Sequence, residues 1–126
     1  MSFSNTFETT VLKWTFTTDS VTRPTAWYIG LFTSDPTDAG TGTEVSGNGY
    51  TREAVSFTVT GDTATNSAAV EFDAATASWG TITHAGIFDA STGGNLVAHS
   101  ALSTSKTIGT GDILRVPAGD LDITLD

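Results

Sequence analysis

Residues 79–89, Trp-Gly-Thr-Ile-Thr-His-Ala-Gly-Ile-Phe-Asp, decide the fold. The stretch has no proline and is rich in β-branched and aromatic residues, which favour a pleated, half-buried strand. Apolar residues occupy both odd and even positions, so the pattern predicts a central strand covered on both faces. Gly80 and Gly86 lack a Cβ and suit a place where the strand bends or where another backbone comes close. The turn at 89–95, followed by an apolar run at 96–98, predicts a hairpin.

The composition predicts that the rest of the chain is also mostly β. The 126 residues include 25 Thr, 12 Ser and 13 Gly but only 5 Lys and Arg, which is poor material for helices. Alternating or β-branched segments recur at 26–33, 50–60, 69–72, 102–108, 113–116 and 121–125. Short strands with a turn signal about every ten residues are typical of a sandwich or barrel. We therefore predict an all-β, single-domain antiparallel β-sandwich over residues 19–126, either jelly-roll or immunoglobulin-like.

Residues 1–18 differ from this pattern and form a predicted N-terminal arm. Apolar side chains follow one another there at or beside helical spacing: Phe3, Phe7, Val11, Leu12 and Trp14. Asn5 and Glu8 have the form of a capping box, so we predict a short helix over about residues 5–13. Its apolar stripe has two interpretations: it packs on its own domain, or it docks on a neighbouring subunit.

Charge and cysteine content exclude several classes of function. The formal net charge is −9 and the sequence pI is about 4.2, so the surface repels nucleic acid and anionic lipid. The chain has no cysteine, which excludes disulfides and metal–thiolate sites. No apolar run has the length of a membrane span. We predict neither a nucleic acid nor a membrane as partner.

The longest predicted loop, residues 34–49, is a candidate for contact with a partner. At about 16 residues it is longer than most connections in compact domains. Asp35, Asp38 and Glu44 could meet around a calcium ion, but they lack the ligand spacing of an EF-hand loop. We predict no bound metal and assign these three acidic residues to a partner-contact loop.

The sequence offers little catalytic chemistry. His84 and His99 fall in the two strands of the central hairpin, yet spacing places no third ligand beside them. No serine lies in the Gly-x-Ser-x-Gly context of a catalytic nucleophile. The strings Gly47-Asn-Gly49 and Gly109-Thr-Gly111 are too short to bind a phosphate and are not followed by helices. We predict that the protein is not an enzyme and has no cofactor.

Several unusual strings occur in one order along the chain. They are Gly-Thr-Glu-Val-Ser-Gly-Asn-Gly-Tyr-Thr-Arg at 42–52, the stretch at 79–89, Gly-Gly-Asn-Leu at 93–96, Leu-Ser-Thr-Ser-Lys-Thr at 102–107, Gly-Asp at 111–112, Arg-Val-Pro-Ala-Gly at 115–119, and the alternating end at 121–125. Together they resemble a family of small bacteriophage virion proteins that are labelled either tail fibre or head decoration (cement) proteins. The resemblance covers almost the whole chain from Trp27 onward.

The resemblance implies a non-enzymatic structural component of a virus particle, made in the cytoplasm of the bacterial host. The residues that carry the motifs are Trp27, Tyr50, Arg52, Trp79, Gly80, His84, Gly86, Phe88 and Asp89. A fibre is usually elongated and repetitive, whereas this is one acidic domain without repeats and with an apolar arm. We therefore favour a capsid decoration protein, located on the capsid surface, that binds the major capsid protein and copies of itself as a trimer. The alternative is a tail fibre or tail-tip domain whose 34–49 loop contacts a host receptor or glycan.

Overall fold

The computed structural model describes residues 1–125. In chain order its elements are β1 (Ser2–Phe3), α1 (Asn5–Phe16), β2 (Tyr28–Phe32), β3 (Glu53–Ala54), β4 (Phe57–Thr60), β5 (Thr63–Asn66), β6 (Val70–Glu71), β7 (Gly80–Phe88), β8 (Leu96–Ile108), β9 (Arg115–Val116) and β10 (Asp122–Thr124). Every pairing between strands is antiparallel. The chain is thus a small, mostly β domain with one short N-terminal helix within the described residues, as predicted.

The β7–β8 hairpin is the centre of the largest sheet. That sheet has the strand order β1-β8-β7-β2-β3, so β7 is flanked on both sides. Two smaller sheets, β10-β5-β4 and β6-β9, complete the described fold. The sandwich assignment, with its jelly-roll and immunoglobulin-like alternatives, stays a prediction, as does the division at residue 18.

The main core lies between the central sheet and the smaller sheets. Ile29 and Leu31 of β2 and Ile87 of β7 are at most 1 % exposed, because alternation points them to the same face. They join Phe72 and Trp79 in one cluster. Phe32, Phe88 and Leu96 form a second cluster. The prediction that the central strand is covered on both faces is therefore confirmed for the half of β7 that ends at Phe88.

Two predicted strand boundaries are wrong, and two strands were not predicted. The segment 50–60 is not one strand: β3 pairs with the central sheet and β4 with β5, because the chain changes sheets at Val55 and Ser56. Segments 96–98 and 102–108 are not separate strands but one strand, β8, whose pairing with β7 is irregular between Ile82 and His84. Sequence analysis also gave no strand at β1 or β5.

The helix α1 is longer than predicted, and its cap is one residue earlier. Ser4, not Asn5, is the N-cap, and its hydroxyl accepts a hydrogen bond from the backbone N–H of Phe7. The helix continues to Phe16 although it is rich in threonine, and the hydroxyls of Thr9 and Thr10 donate to carbonyls four residues back. Within residues 1–125, no helix combines the length and the apolar character that crossing a membrane requires.

Candidate functional site

The candidate site is the face of the central sheet that carries Phe32, Phe88 and Leu96, which we call the outer face. The rings of Phe32 and Phe88 stack with centroids 5.9 Å apart. His84 pairs with Phe32 and lies on this face, and the irregular pairing near Thr83 turns Ile82 to the other side of the sheet. Strict alternation would place Ile82 beside His84, but Ile82 is fully buried in the main core.

Residues 34–49, which we call the covering loop, lie over the outer face. The backbone N–H of Val45 donates to the carbonyl of Leu31, and Glu44 forms an isolated bridge with Phe32. These contacts pair the loop with the edge of β2, and the Glu44 side chain then reaches over Gly30, where it and the Phe88 ring leave room only for a glycine. A Cβ on Gly30 would lie 2.7 Å from the Phe88 ring and 2.9 Å from a carboxylate oxygen of Glu44.

Gly86 has the same role in the neighbouring strand. A Cβ there would lie 2.7 Å from Leu96 Cδ1 and 3.0 Å from the Phe32 ring. The sequence predicted a bend or a close backbone at Gly86, whereas the closest neighbours are side chains. Gly80, at the start of β7, instead has a positive φ of 80°. That backbone conformation suits the bend predicted at this position.

The covering loop is fastened by an ion pair between Glu44 and Arg52. Arg52 Nε and Nη2 each donate to one carboxylate oxygen of Glu44 at 2.8 Å, a bidentate arrangement. Arg52 Nη1 donates to the carbonyls of Ala90 (2.9 Å) and Gly93 (2.8 Å) in the hairpin turn. The guanidinium lies 3.5 Å from the centroid of the Phe88 ring. Through these contacts Arg52 joins the loop, the sheet and the turn. Its side chain is only 9 % exposed.

Tyr50 completes this cluster from the side of the main core. Its hydroxyl donates to Glu44 at 2.6 Å and accepts from the backbone N–H of Leu31 at 3.0 Å. Burial, followed by the hydrogen bond to Glu44, raises the pKa of Tyr50 far above its ordinary value of 10. The ring packs edge-on against Trp79, with centroids 5.5 Å apart, and stacks on Phe72 at 6.2 Å.

The raised pKa of Tyr50 predicts a loss of stability in alkali. Unfolded Tyr50 releases its proton near pH 10, whereas the folded protein retains it. The unfolded state then binds fewer protons, so this contribution is complete below pH 10 and falls as the pH rises above it. Urea unfolding at pH 8 and pH 11 measures the effect. We expect the Tyr50→Phe variant to lose less stability over this interval than the unmodified protein, and an equal loss would contradict the assignment.

Further hydrogen bonds hold the covering loop near its start, at Asp38, and near its end, at Asn48. Asp38 Oδ1 lies 2.7 Å from Nε2 of His99, and the Asp38 carbonyl accepts from the backbone N–H of Asn5 at the start of α1. At the other end, the indole N–H of Trp79 donates to the carbonyl of Asn48 at 2.9 Å. The loop is therefore held near its start, its middle and its end. Such fixing reduces the conformational entropy that a flexible loop of this length would keep.

The three acidic residues of the loop do not meet. Glu44 is bound to Arg52, whereas Asp35 Oδ1 lies 3.9 Å from a ring nitrogen of both His84 and His99. The three carboxylates are therefore not arranged around one common site. Among the described residues, no three His, Cys, Asp or Glu side chains are placed so that they could hold a metal ion.

The other predicted site residues fall into two groups. Trp27 packs beside the main core, and Asp89 closes the hairpin turn by accepting from the backbone N–H of Asn95 at 2.7 Å. Phe3 and Phe7 of the arm pack edge-to-face at 4.9 Å and lie against the core. The remaining arm residues are less covered: Val11 is half-buried, Leu12 is 58 % exposed and Trp14 is 74 % exposed.

Sequence analysis named Glu44 and Arg52 separately but missed that they pair. Both lie outside regular strand or at its edge, so no periodicity places them together. A signal was present, since Glu44, Tyr50 and Arg52 all fall within the 42–52 string, and Arg52 is one of only 5 basic residues. Within residues 1–125, every buried side-chain nitrogen or oxygen has a hydrogen-bond partner. The polar groups of the cluster therefore bind one another and hold the loop in place.

This arrangement defines a class: a small β-rich structural module with a fastened surface loop and a projecting helix. The chain belongs to the family described as Podophage GP4 fiber I protein gp80, whose sequence profile matches residues 2–124. It is a bacteriophage virion structural protein of the tail-fibre type, and the resemblance to phage virion proteins is confirmed. A search of curated proteins found no match.

Proposed function

We propose that this protein is a non-enzymatic component of a phage tail fibre and that its covering loop contacts the host surface. The observation that carries the proposal is the family match, because the family description names a fibre. The sequence analysis favoured capsid decoration and kept the fibre as the alternative. The family description supports the alternative better, so we prefer it and do not retain the capsid as the leading location.

The exposure and the fixed conformation of the covering loop support its role as the contact surface. Residues 37–41 are all exposed, while the contacts of Asp38, Glu44 and Asn48 hold the loop on the sheet. A loop already held in one conformation loses less entropy on binding than a flexible one. The side chains of Asp35 and Asp38 remain 58 % and 50 % exposed, so they present acceptors to a receptor or glycan.

A matched pair of substitutions tests the contact. Ala39 lies on the exposed part of the covering loop, and Ala118 lies on an exposed turn between β9 and β10. Because Ala39→Arg adds bulk and positive charge in the proposed contact, we expect adsorption of virions carrying it to slow about tenfold. Ala118→Arg introduces the same side chain elsewhere and should leave adsorption unchanged. Normal adsorption by the Ala39→Arg virions would refute the contact.

A further inference from the structure

The sequence contains a single Asn-Gly pair, Asn48–Gly49, at the end of the covering loop. The other three asparagines are followed by Thr, Ser or Leu. Glycine places no side chain beside its backbone nitrogen, so that nitrogen is free to approach the side-chain amide of a preceding asparagine. Asn48 is also exposed, so water has access to its amide.

The Asn-Gly pair forms a tight turn. The backbone N–H of Tyr50 donates to the carbonyl of Gly47 at 3.0 Å. The two residues between them, Asn48 and Gly49, have φ values of 54° and 82°. Positive φ at both central residues is typical of a type I′ turn, for which Asn-Gly is a preferred sequence. The turn therefore explains why this reactive pair is present.

Three hydrogen bonds hold the peptide unit of Asn48 in this turn. Its backbone carbonyl accepts from the indole N–H of Trp79 at 2.9 Å and from the backbone N–H of Thr76 at 3.0 Å. Its side-chain amide donates to the carbonyl of Ser78 at 2.9 Å. A rotation about the Cα–C bond of Asn48 moves this carbonyl and the Gly49 nitrogen together. The bonds that hold the carbonyl therefore also hold the Gly49 nitrogen in place.

We propose that Asn48 is a site of spontaneous deamidation and that these hydrogen bonds hold the reaction back while the covering loop is in place. In the reaction, the Gly49 nitrogen forms a bond to Cγ of Asn48 and the carbon–nitrogen bond of the side-chain amide breaks. The amide nitrogen leaves as ammonia with the proton that Gly49 loses. Water then opens the cyclic imide at one of its two carbonyl carbons, which gives aspartate or isoaspartate.

Ring closure requires a conformation that this turn does not have. In a type I′ turn, ψ of the first central residue is about +30°, which places the Gly49 nitrogen away from the Asn48 side chain. The nitrogen reaches Cγ only after about half a turn around the Cα–C bond, and this rotation breaks both hydrogen bonds of the Asn48 carbonyl. The rate of deamidation therefore follows the fraction of molecules in which this end of the loop is open.

The reaction also releases the end of the covering loop permanently. Neither product has the amide that donates to the carbonyl of Ser78, and a carboxylate has no proton to donate in its place. In isoaspartate the main chain runs through Cβ and Cγ, so it is longer by a methylene group, and the carbonyl that Trp79 contacts becomes a free carboxylate. Deamidation is thus a one-way change in the loop, and it does not depend on what the loop contacts.

Storage of the purified full-length chain at pH 8, with mass-spectrometric peptide mapping of each asparagine, tests the proposal. In urea, which unfolds the chain, we expect Asn48 to deamidate faster than Asn5, Asn66 and Asn95. In the folded protein we expect Asn48 to react about tenfold more slowly than in urea, because its hydrogen bonds must first open. Equal rates with and without urea, or equal rates at all asparagines in urea, would overturn the proposal.

A matched pair of variants tests the role of the hydrogen bonds. Trp79→Phe keeps an aromatic ring but removes the N–H that holds the Asn48 carbonyl, so we expect folded Asn48 to react about fivefold faster. Ile82→Val alters the same core without touching the hydrogen bonds of Asn48, and it should leave the rate unchanged. Equal acceleration in the two variants would contradict control by this contact.

Hydrogen exchange of the deamidated protein, separated by anion exchange, tests the release of the loop. The backbone N–H of Thr76 donates to Asn48, so we expect it to exchange about tenfold faster after deamidation. The N–H of Val45, which donates to Leu31 in the middle of the loop, is the control and should keep its rate. Unchanged exchange at Thr76 would contradict the release.

Discussion

The Arg52→Met variant is expected to lose about 3 kcal/mol of its free energy of unfolding. Removing one partner from a buried ion pair costs about 3–5 kcal/mol, because the remaining charge is left uncompensated. Glu44 retains 23 % side-chain exposure, so water relieves part of that penalty and the low end of the range applies. The substitution also removes the hydrogen bonds to Ala90 and Gly93 and the stacking on Phe88.

Urea unfolding at pH 7 measures this loss, with Arg115→Met as the control. Arg115 is exposed on β9, so we expect its substitution to change stability by less than about 0.5 kcal/mol. Adding Glu44→Gln to Arg52→Met should recover about 1 kcal/mol, since no unpaired carboxylate then remains. If Arg52→Met were as stable as Arg115→Met, the ion pair would not be what fastens the covering loop.

The Phe72→Ala variant is expected to lose about 4 kcal/mol, the largest effect among these substitutions. Phe72 is 1 % exposed and lies between the rings of Tyr50, at 6.2 Å, and Trp79, at 6.4 Å. Alanine would remove the buried ring and leave a cavity beneath the residues that hold Glu44 and Asn48. The loss therefore includes the transfer free energy of the ring and the contacts of the cavity walls.

Thermal and urea unfolding of Phe72→Ala and Ile113→Ala test this expectation together. Ile113 is of the same apolar class but is 53 % exposed, so its truncation should cost less than about 1 kcal/mol. Equal losses in the two variants would show that Phe72 does not occupy the centre of the core.

Periodicity predicted the central hairpin well because its side chains must face two covered surfaces. The alternation in 26–33 puts Ile29 and Leu31 on one face and Phe32 on the other, and in the structure these faces are the main core and the outer face. The break at Val55 and Ser56 was missed because alternation continues through a change of sheet. Alternation reports which face a residue occupies and not which strand it joins.

Contacts between irregular segments could not be predicted from spacing. Asp38 meets His99, which is 61 residues away, and Asn48 meets Trp79. These pairs depend on how the covering loop crosses the sheet, and no local pattern encodes that path. The arm was predictable as an apolar helix because Phe7, Val11 and Trp14 follow the helical repeat. The apolar groove lined by Phe3, Trp27, Phe57 and Leu125 was not predictable, because its walls come from several distant segments.

Cryo-electron microscopy of purified virions, with this domain fitted into the density, tests the proposed location most directly. We expect the domain in the fibres attached to the tail, in the few copies that fibres require. Density for it spread over the capsid lattice, in one copy for each local group of shell subunits, would contradict the fibre assignment and restore the decoration hypothesis.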